Sequence, residues 1–114
     1  SMQMRVCRTN MEYLTLNNGV QMPLVGFCTF MLGGEICRNA VAAAIESGYR
    51  MIDTAEAYGN EKAVGEGIKK SGVDRRELFL VTKVNFKSYE NAEQTVVQSL
   101  ANLQTDDIDL LLLH

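Results

Sequence analysis

The sequence alternates short, continuously apolar runs with longer segments of helical periodicity, and this alternation leaves few possible folds. The apolar runs are Leu24–Phe27, Tyr49–Asp53, Leu78–Thr82 and Ile108–Leu113. Between them, apolar residues recur every three or four positions in the segments Glu35–Ser47, Asn60–Lys70 and Ser88–Asn102. Strands that are apolar along their whole length, each separated from the next by a helix, are typical of a parallel sheet buried on both faces. The sequence therefore predicts the α/β class.

Local signals mark the ends of the predicted helices. Gly48 and Gly72 follow the first and second helix, where a left-handed conformation favours glycine. Asn60 and Ser88 precede the second and third helix, and each can accept a hydrogen bond from a free backbone N–H of the first turn. The apolar stripe of the first helix is expected to consist of Ile36, Ala40, Val41, Ala44 and Ile45.

A hairpin is predicted ahead of the first parallel strand. Two β-prone runs, Tyr13–Leu16 and Val20–Met22, flank the dipeptide Asn18-Gly19. Asn-Gly is preferred in a two-residue type I′ turn, because both central residues there take positive φ. Pro23 lacks a backbone N–H and is expected to end the second strand.

The length of 114 residues suits one domain, yet the predicted elements do not close a sheet. The last strand has no helix after it, and an apolar edge strand with free N–H and C=O groups favours aggregation. A (β/α)8 barrel takes about 250 residues. We therefore expect a (β/α)8 TIM barrel of which only the N-terminal hairpin, about four strands and three helices are present. Residues 13–114 form this N-terminal half, and residues 1–12 are interpreted as a tag remnant and N-terminal tail.

Charge and cysteine content exclude several functional classes. Eleven Lys and Arg against fourteen Asp and Glu give a net charge of −3 without runs of like charge, so neither a nucleic acid nor a membrane surface is an expected partner. Three cysteines without a Cys-X-X-Cys pair, and no apolar run long enough for a membrane span or signal segment, predict a reduced, cytoplasmic protein. A single histidine, His114, leaves too few ligands for a structural zinc site, so no metal is expected.

Three ionisable residues stand where three of the predicted parallel strands end. Asp53 and Lys83 are 30 residues apart, and Lys83 and His114 are 31 apart, so each interval is one strand-helix unit. Equal units are expected to place these residues at equal heights, side by side at the C-terminal mouth, where barrel active sites are built. Tyr58 follows Asp53 in the loop above the same mouth. Taken singly, each residue has an ordinary structural explanation, but their shared position predicts a site with an acid, a phenol, an ammonium and an imidazole.

Several longer motifs coincide with these residues. They are the runs Leu16–Pro23, Gly48–Ala55, Tyr58–Glu61, Thr82-Lys83 and Asp107–His114. Together they resemble the aldo-keto reductases over nearly the whole chain, from about Tyr13 to His114. The resemblance implies the (β/α)8 barrel and a hairpin that closes its bottom, opposite the chemistry.

The resemblance also implies site residues and a cofactor. The catalytic positions of the family match Asp53, Tyr58, Lys83 and His114. Thr29 and Asp53 match contacts to the nicotinamide ribose, and the cofactor of the family is usually NADPH. At the cofactor-contacting strand end, where the family usually has a second glycine, this chain has Cys28, which is bulkier and is expected to crowd the nicotinamide half.

These residues suit carbonyl reduction, in which a hydride goes to carbon and a proton to oxygen. A phenol, with an ordinary pKa of about 10, is a weak proton donor unless its phenolate is stabilised. Lys83, oriented by the carboxylate of Asp53, is expected to stabilise the phenolate of Tyr58. His114 is expected to hydrogen-bond the substrate oxygen and to orient it. The predicted function is therefore NADPH-dependent reduction of aldehydes or ketones to alcohols.

Other interpretations stay open. One is a non-catalytic half-barrel module that self-associates, although two copies supply eight strands and only six helices. Another is an open-sheet domain of the flavodoxin type, for which the turn Cys28–Leu32 is too apolar to bind phosphate. Gly65-Glu66-Gly67 begins like a dinucleotide fingerprint, but Lys70 holds the third glycine's place and the run lies inside a predicted helix, so a Rossmann site is rejected. We expect a monomer at full length, and self-association of the 114-residue chain through exposed strand edges.

Overall fold

In the computed structural model, which describes residues 12–114, a two-stranded hairpin precedes a four-stranded parallel sheet with three α-helices. In chain order the strands and α-helices are β1 (Tyr13–Thr15), β2 (Gln21–Pro23), β3 (Phe27–Cys28), α1 (Gly34–Ser47), β4 (Met51–Asp53), α2 (Glu61–Ser71), β5 (Phe79–Val84), α3 (Ala92–Leu103) and β6 (Leu110–Leu113). Three 3-10 turns lie at Glu56–Tyr58, Arg75–Glu77 and Phe86–Asn91. Residues 1–11, which make up nearly all of the predicted tag remnant and tail, lie outside the described residues.

The parallel sheet has the order β3-β4-β5-β6 and confirms the predicted α/β class. Ile52, at the centre of β4, pairs with Phe27 of β3 and with Leu80 of β5. The core lies between this sheet and the helices, and its completely buried aliphatic residues include Val41, Ile45, Ile52, Val64 and Leu80. Each such side chain stabilises the fold by about 1.5–3 kcal/mol through burial of apolar surface.

Two glycines let α2 approach both neighbouring helices closely. A Cβ atom at Gly67 would lie 2.6 Å from the carbonyl oxygen of Arg38 in α1. A Cβ atom at Gly65 would lie 2.7 Å from the carbonyl oxygen of Leu103 in α3. Both distances are too short for any side chain, so the two positions require glycine. Gly65-Glu66-Gly67 therefore serves helix packing in the interior of α2, in agreement with the rejection of a Rossmann site.

The N-terminal hairpin forms as predicted, but its turn is of a different type. Leu16 accepts a hydrogen bond from Gly19 N at 2.9 Å and donates one to Val20 O at 2.8 Å. Within this turn only Gly19 takes positive φ, at 84°, so Asn18 does not adopt the conformation that a type I′ turn requires. The prediction of a two-residue type I′ turn is therefore wrong. The loop is longer, with glycine at the one left-handed position, which is the usual arrangement of a three-residue hairpin loop.

The first parallel strand is shorter than predicted. Only Phe27–Cys28 pair with β4. Leu24 N donates to Glu12 O at 3.0 Å, so this residue extends the hairpin, and Leu24 and Val25 are 53% and 60% exposed. The prediction of a buried strand over Leu24–Phe27 is wrong for its first residues, because their backbone follows the hairpin and does not enter the parallel sheet.

The helices follow the predicted order with one displaced start. Gly48 and Gly72 end α1 and α2 in the left-handed conformation, at φ 117° and 75°, as predicted. The third helix begins at Ala92, since a 3-10 turn occupies Phe86–Asn91. The prediction that this helix begins after Ser88 is therefore wrong by one turn.

The first turn of α1 also presents a different residue to the core. Ile36 is 71% exposed, whereas Cys37 is completely buried. Cys37, Val41 and Ile45 follow one another at intervals of four and form the face that packs in the core. The inclusion of Ile36 in the buried stripe is wrong, because the neighbouring residue continues that face.

Arg75 ties the beginnings of β5 and β6 together. Its guanidinium donates to Leu78 O at 3.0 Å and to Asp109 Oδ2 at 2.8 Å. The same Asp109 oxygen accepts from Leu80 N at 2.7 Å, and Asp109 N donates to Leu80 O at 3.0 Å. These charge-assisted hydrogen bonds fix β6 on β5 at the N-terminal ends of the strands. The residues predicted to be catalytic lie at the other end.

Candidate active site

Three of the four residues predicted to be catalytic, Asp53, Lys83 and His114, lie at the C-terminal ends of β4, β5 and β6, but at different heights. Asp53 pairs with Val81, so Lys83 lies two residues further along β5. Lys83 in turn pairs with Leu112, and His114 lies two residues further along the chain. The expectation of equal heights is wrong, because each strand is displaced from its neighbour by two residues, roughly 6.6 Å. Since side chains alternate with a period of two, this even displacement keeps all three on the same face of the sheet.

Lys83 is held at the centre of the site. Its ammonium forms an ion pair with Asp53 Oδ1 and donates to Thr54 O at 2.9 Å. The Lys83 side chain is 14% exposed and that of Asp53 35%, so the pair is partly shielded from water. Burial lowers the pKa of Lys83, but the hydrogen bond and charge of Asp53, with a further contribution from Tyr58, outweigh it and raise the pKa above its ordinary value. Lys83 is therefore an ammonium at neutral pH.

Tyr58 lies beside this ion pair. It is the last residue of the 3-10 turn Glu56–Tyr58, which Gly59 closes in the left-handed conformation at φ 68°. The ammonium of Lys83 is 5.2 Å from the centroid of the Tyr58 ring. The ring of His114 meets the Tyr58 ring edge-on, with 6.0 Å between centroids and an interplanar angle of 88°. The turn thus places the phenol between a cation and an imidazole.

The structure brings together all four residues that the sequence singled out: Asp53, Tyr58, Lys83 and His114. A further aromatic residue, Phe30, contacts the Tyr58 ring at a centroid distance of 5.2 Å. Phe30 follows β3 and is itself exposed. The phenol is therefore bordered by an apolar residue as well as by charged and polar groups.

The positions predicted to contact a cofactor differ in accessibility. Asp53 is partly exposed at the open face, and a carboxylate is a good acceptor for the hydroxyl groups of a ribose. Cys28 is exposed and pairs with Asp53, which places both side chains on one face. Thr29 is completely buried, with its hydroxyl donating to Thr54 Oγ1 at 2.9 Å. The Asp53 carboxylate is thus accessible at the open face, whereas the Thr29 hydroxyl is buried between strand ends, and both ribose contacts stay predictions.

Asn60 makes contacts that the sequence did not indicate. It precedes α2 as predicted, but its side chain makes no cap hydrogen bond. Asn60 Nδ2 donates to the carbonyl oxygens of Thr29 and Leu32, both at 2.8 Å, and Asn60 Oδ1 accepts from Thr54 Oγ1 at 2.9 Å. Asn60 is buried, so these partners replace water. They tie the loop that carries Tyr58 to the ends of β3 and β4.

A buried carboxylate follows at Glu61, the first residue of α2. Its Oε2 accepts from Thr82 Oγ1 at 2.6 Å, and its Oε1 accepts from Ser99 Oγ at 2.9 Å. All three residues are buried, and they link α2 to β5 and α3. The only sequence signal for this network was that Glu61 belongs to the motif Tyr58–Glu61.

A cavity of about 340 Å³ lies between α2 and α3, behind the loop that carries Tyr58, and its lining includes Glu56 and Gly59 of that loop. Lys62, Gln94 and Gln98 also line it, together with the buried residues Glu61 and Ser99. Asp53, Tyr58, Lys83 and His114 do not line it. The four candidate residues therefore meet at the open strand ends, and the cavity lies next to their site.

Residues 12–114 hold no group of three or more His, Cys, Asp or Glu side chains that could bind a metal ion. In the same part of the chain, no helix combines the length and the apolar character needed to cross a membrane. Its two cysteines, Cys28 and Cys37, are free thiols.

Comparison with known proteins connects this arrangement to a family. The sequence model of the Aldo/keto reductase family matches residues 35–114. The chain is 50% identical over 104 residues to morphine 6-dehydrogenase of Pseudomonas putida, covering 89% of this chain and 35% of that protein. It is 47% identical over 106 residues to glyoxal reductase of Bacillus subtilis, covering 90% of this chain and 38% of that protein. The chain spans about a third of the length of these curated relatives.

Solved structures share the fold. An aldo/keto reductase from Brucella melitensis matches with a TM-score of 0.88 and 37% identity, covering 92% of this chain and 42% of that structure. An aldo-keto reductase of Bombyx mori in complex with NADP matches with a TM-score of 0.84 and 36% identity, covering 91% of this chain and 38% of that structure. These structures are (β/α)8 barrels, so the predicted fold class is confirmed, with this chain corresponding to part of the barrel.

Proposed function

Because this chain belongs to the aldo/keto reductase family, we propose that it supplies the proton-donating residues of an active site that reduces aldehydes or ketones to alcohols with NADPH. One observation carries the proposal. Lys83 is paired with Asp53 and lies 5.2 Å from the Tyr58 ring, at the strand ends where barrel enzymes build their active sites. The proposal concerns the whole protein, since the relatives are about three times as long as this chain.

Tyr58 is the proposed proton donor. As the substrate oxygen takes the phenolic proton, negative charge develops on the Tyr58 oxygen, and the nearby ammonium of Lys83 stabilises it. Asp53 holds that ammonium in place and, together with Thr54 O, favours its charged form. A fixed cation lowers the barrier because it needs no reorganisation during the reaction.

His114 is the proposed orienting residue. Its ring stands edge-on to the Tyr58 ring, and the residue is exposed. A neutral imidazole can donate one hydrogen bond to a carbonyl oxygen. Holding that oxygen between His114 and Tyr58 would direct it to the proton donor, where small misplacements raise the barrier steeply.

NADPH is the proposed cofactor and, when bound, supplies the hydride. The carboxylate of Asp53 is the proposed contact to the nicotinamide ribose, because it is partly exposed at the open face. Thr29 is proposed as a second contact from the same strand ends. The match to the Bombyx mori structure in complex with NADP supports this choice of cofactor.

We also propose that the protein acts in the cytoplasm, as a monomer at full length, on a small-molecule carbonyl substrate. The free thiols Cys28 and Cys37 suit a reducing compartment. The net charge of −3 does not favour a nucleic acid or an anionic membrane surface as a partner.

The second candidate function is a non-catalytic module that self-associates. The observation in its favour concerns the 114-residue chain by itself, in which β6 lies at an edge of the parallel sheet with Leu111 and Leu113 exposed. An apolar edge strand pairs readily with another chain. Light scattering on the 114-residue chain measures this association, and an activity assay distinguishes a module from a catalyst.

The test of the reductase proposal is aldehyde-dependent oxidation of NADPH by the full-length protein. Tyr58→Phe removes only the hydroxyl and should lower kcat by about 10²–10⁴-fold, the usual contribution of a general acid. Tyr13→Phe, in the exposed hairpin strand β1, is the matched control and should leave kcat unchanged. Equal activity of the Tyr58→Phe variant and the wild type would refute the proposed role.

A further inference from the structure

The loop that carries Tyr58 is joined to Lys83 through Asn60. Asn60 Oδ1 accepts from the hydroxyl of Thr54 at 2.9 Å, and the carbonyl oxygen of the same Thr54 accepts from Lys83 Nζ at 2.9 Å. Asn60 also holds the end of β3 through its two donations at 2.8 Å. One residue, Thr54, therefore contacts both the loop anchor and the ammonium.

A second connection runs through Glu61. Glu61 accepts from Thr82 Oγ1 at 2.6 Å, and Thr82 is the residue immediately before Lys83 in β5. Side chains alternate along a strand, so Thr82 faces the helices while Lys83 faces the site. Ser99 of α3 binds the other carboxylate oxygen at 2.9 Å and limits its movement.

Burial of the Glu61 carboxylate is by itself energetically unfavourable. Removing it from water is unfavourable unless its oxygens are hydrogen-bonded, so Glu61 is stable here only while Thr82 and Ser99 keep their positions. The first turn of α2 compensates in part, because free N–H groups favour negative charge there. The network consequently has one well-defined geometry.

We propose that Asn60 and Glu61 are positioning residues, which fix the Tyr58 loop on the strand ends so that the Tyr58 hydroxyl stays within reach of Lys83. This inference rests on the proposed function, in which Tyr58 donates the proton. Asn60 acts through Thr54, whose carbonyl oxygen accepts from Lys83, and Glu61 acts through Thr82, which precedes Lys83 in β5. Neither residue touches the substrate in this proposal.

Glu61→Ala and Glu61→Gln in the full-length protein test the inference. Alanine removes both hydrogen bonds. Glutamine keeps the shape, and it can accept from one hydroxyl and donate to the other, because hydroxyls of Thr82 and Ser99 can do either. We expect Glu61→Ala to lower kcat by about 10²-fold, the size of a 1 Å misplacement, with the KM of the carbonyl substrate unchanged. Glu61→Gln should restore most of kcat.

A measurement that needs no turnover separates this inference from the proposed function. The ¹³Cζ resonance of Tyr58, assigned by its loss in Tyr58→Phe, reports the surroundings of the hydroxyl. It should move in Glu61→Ala and return in Glu61→Gln. If the wild type reduces no carbonyl substrate, the proposed function fails, while the resonance still decides whether Glu61 positions Tyr58. An unmoved resonance in folded Glu61→Ala overturns the inference.

Two controls test whether any lost carboxylate has the same effect and whether the Glu61→Ala variant still folds. Glu93→Ala, in the exposed first turn of α3, should leave kcat and the Tyr58 resonance unchanged. If circular dichroism shows that Glu61→Ala is unfolded, Thr82→Val and Thr82→Ser replace it. Valine deletes the hydroxyl that Glu61 accepts from, and serine keeps it. Equal kcat values for these two variants, or a Glu61→Gln variant as slow as Glu61→Ala, overturn the inference.

Discussion

Asp53 and Lys83 form an ion pair across adjacent strands although the sheet register sets them two residues apart along the strand direction. The four methylenes of lysine span this offset, so the ammonium reaches back to the carboxylate at the end of β4. From that position it also lies 5.2 Å from the ring of Tyr58, in the loop after β4. The displaced register thus lets one cation contact an acid at the end of the neighbouring strand and a phenol in the loop after it.

The first prediction concerns pH and the stability that this ion pair contributes. The folded-state pKa of Lys83 lies above its ordinary value of 10.5, so the contribution is fully present below 10.5 and is lost as the pH rises through the folded value. The difference in unfolding free energy between wild type and Lys83→Met should be flat from about pH 6 to 9 and should shrink above about pH 10.5. Urea unfolding across this range measures it. A difference that grows with pH would contradict the assigned direction of the shift.

The second prediction concerns the close approach of α1 and α2. Gly67→Ala puts a methyl group 2.6 Å from Arg38 O and 2.8 Å from Val41 Cβ. Alanine favours an isolated helix by about 1 kcal/mol, but overpacking costs about 1–3 kcal/mol, so the variant should be less stable than the wild type. Gly33→Ala is the control, since its added methyl group meets nothing within 4 Å. Chemical denaturation measures the free energy of unfolding of each variant. A Gly67→Ala variant more stable than the wild type would show that α1 and α2 can move apart at no cost.

The third prediction concerns Cys28, which stands where the family usually has glycine. Cys28 shares its sheet level and face with Asp53, the proposed ribose contact. A smaller residue should relieve crowding, so Cys28→Gly should bind NADPH about fivefold more tightly in the full-length protein, about 1 kcal/mol. Cys28→Ala should give an intermediate affinity. Fluorescence titration with NADPH measures the series, and equal affinities of all three proteins would mean that Cys28 does not face the cofactor.

The fourth prediction concerns the 114-residue chain by itself. The resemblance to the aldo-keto reductases implies that most contacts to the adenosine phosphate come from the second half of the barrel. We therefore expect this chain alone to bind NADPH weakly or not at all, as measured by quenching of nicotinamide fluorescence. Micromolar binding by a monomeric sample, with its mass checked by light scattering, would show that the described strand ends suffice.

Local sequence signals predicted most of the fold. The positions of β4, β5 and β6 were predicted from apolar runs bounded by polar residues and glycines. This works because the spacing of apolar residues differs between strands and helices and is evident within a few residues. The left-handed glycines Gly48 and Gly72 ended helices for the same local reason. Predictions failed where tertiary contacts compete with local preference, as at Leu24, whose N–H joins the hairpin.

The identities of the four candidate catalytic residues were evident from strand ends and motif spacing, because parallel strands bring their C-terminal ends to one edge. Their relative heights were not, because strand register depends on how whole elements pack and not on the interval between residues. The hydrogen-bond partners of Asn60 and Glu61 were not evident from the sequence either. Those of Glu61 lie 21 and 38 residues away along the chain, and one of those of Asn60 lies 31 residues away. The amino-acid sequence by itself determined which side chains lie at the C-terminal ends of the parallel strands. The tertiary structure decided the distances between those side chains, because hydrogen bonds between segments remote in sequence form only once the helices pack on the sheet.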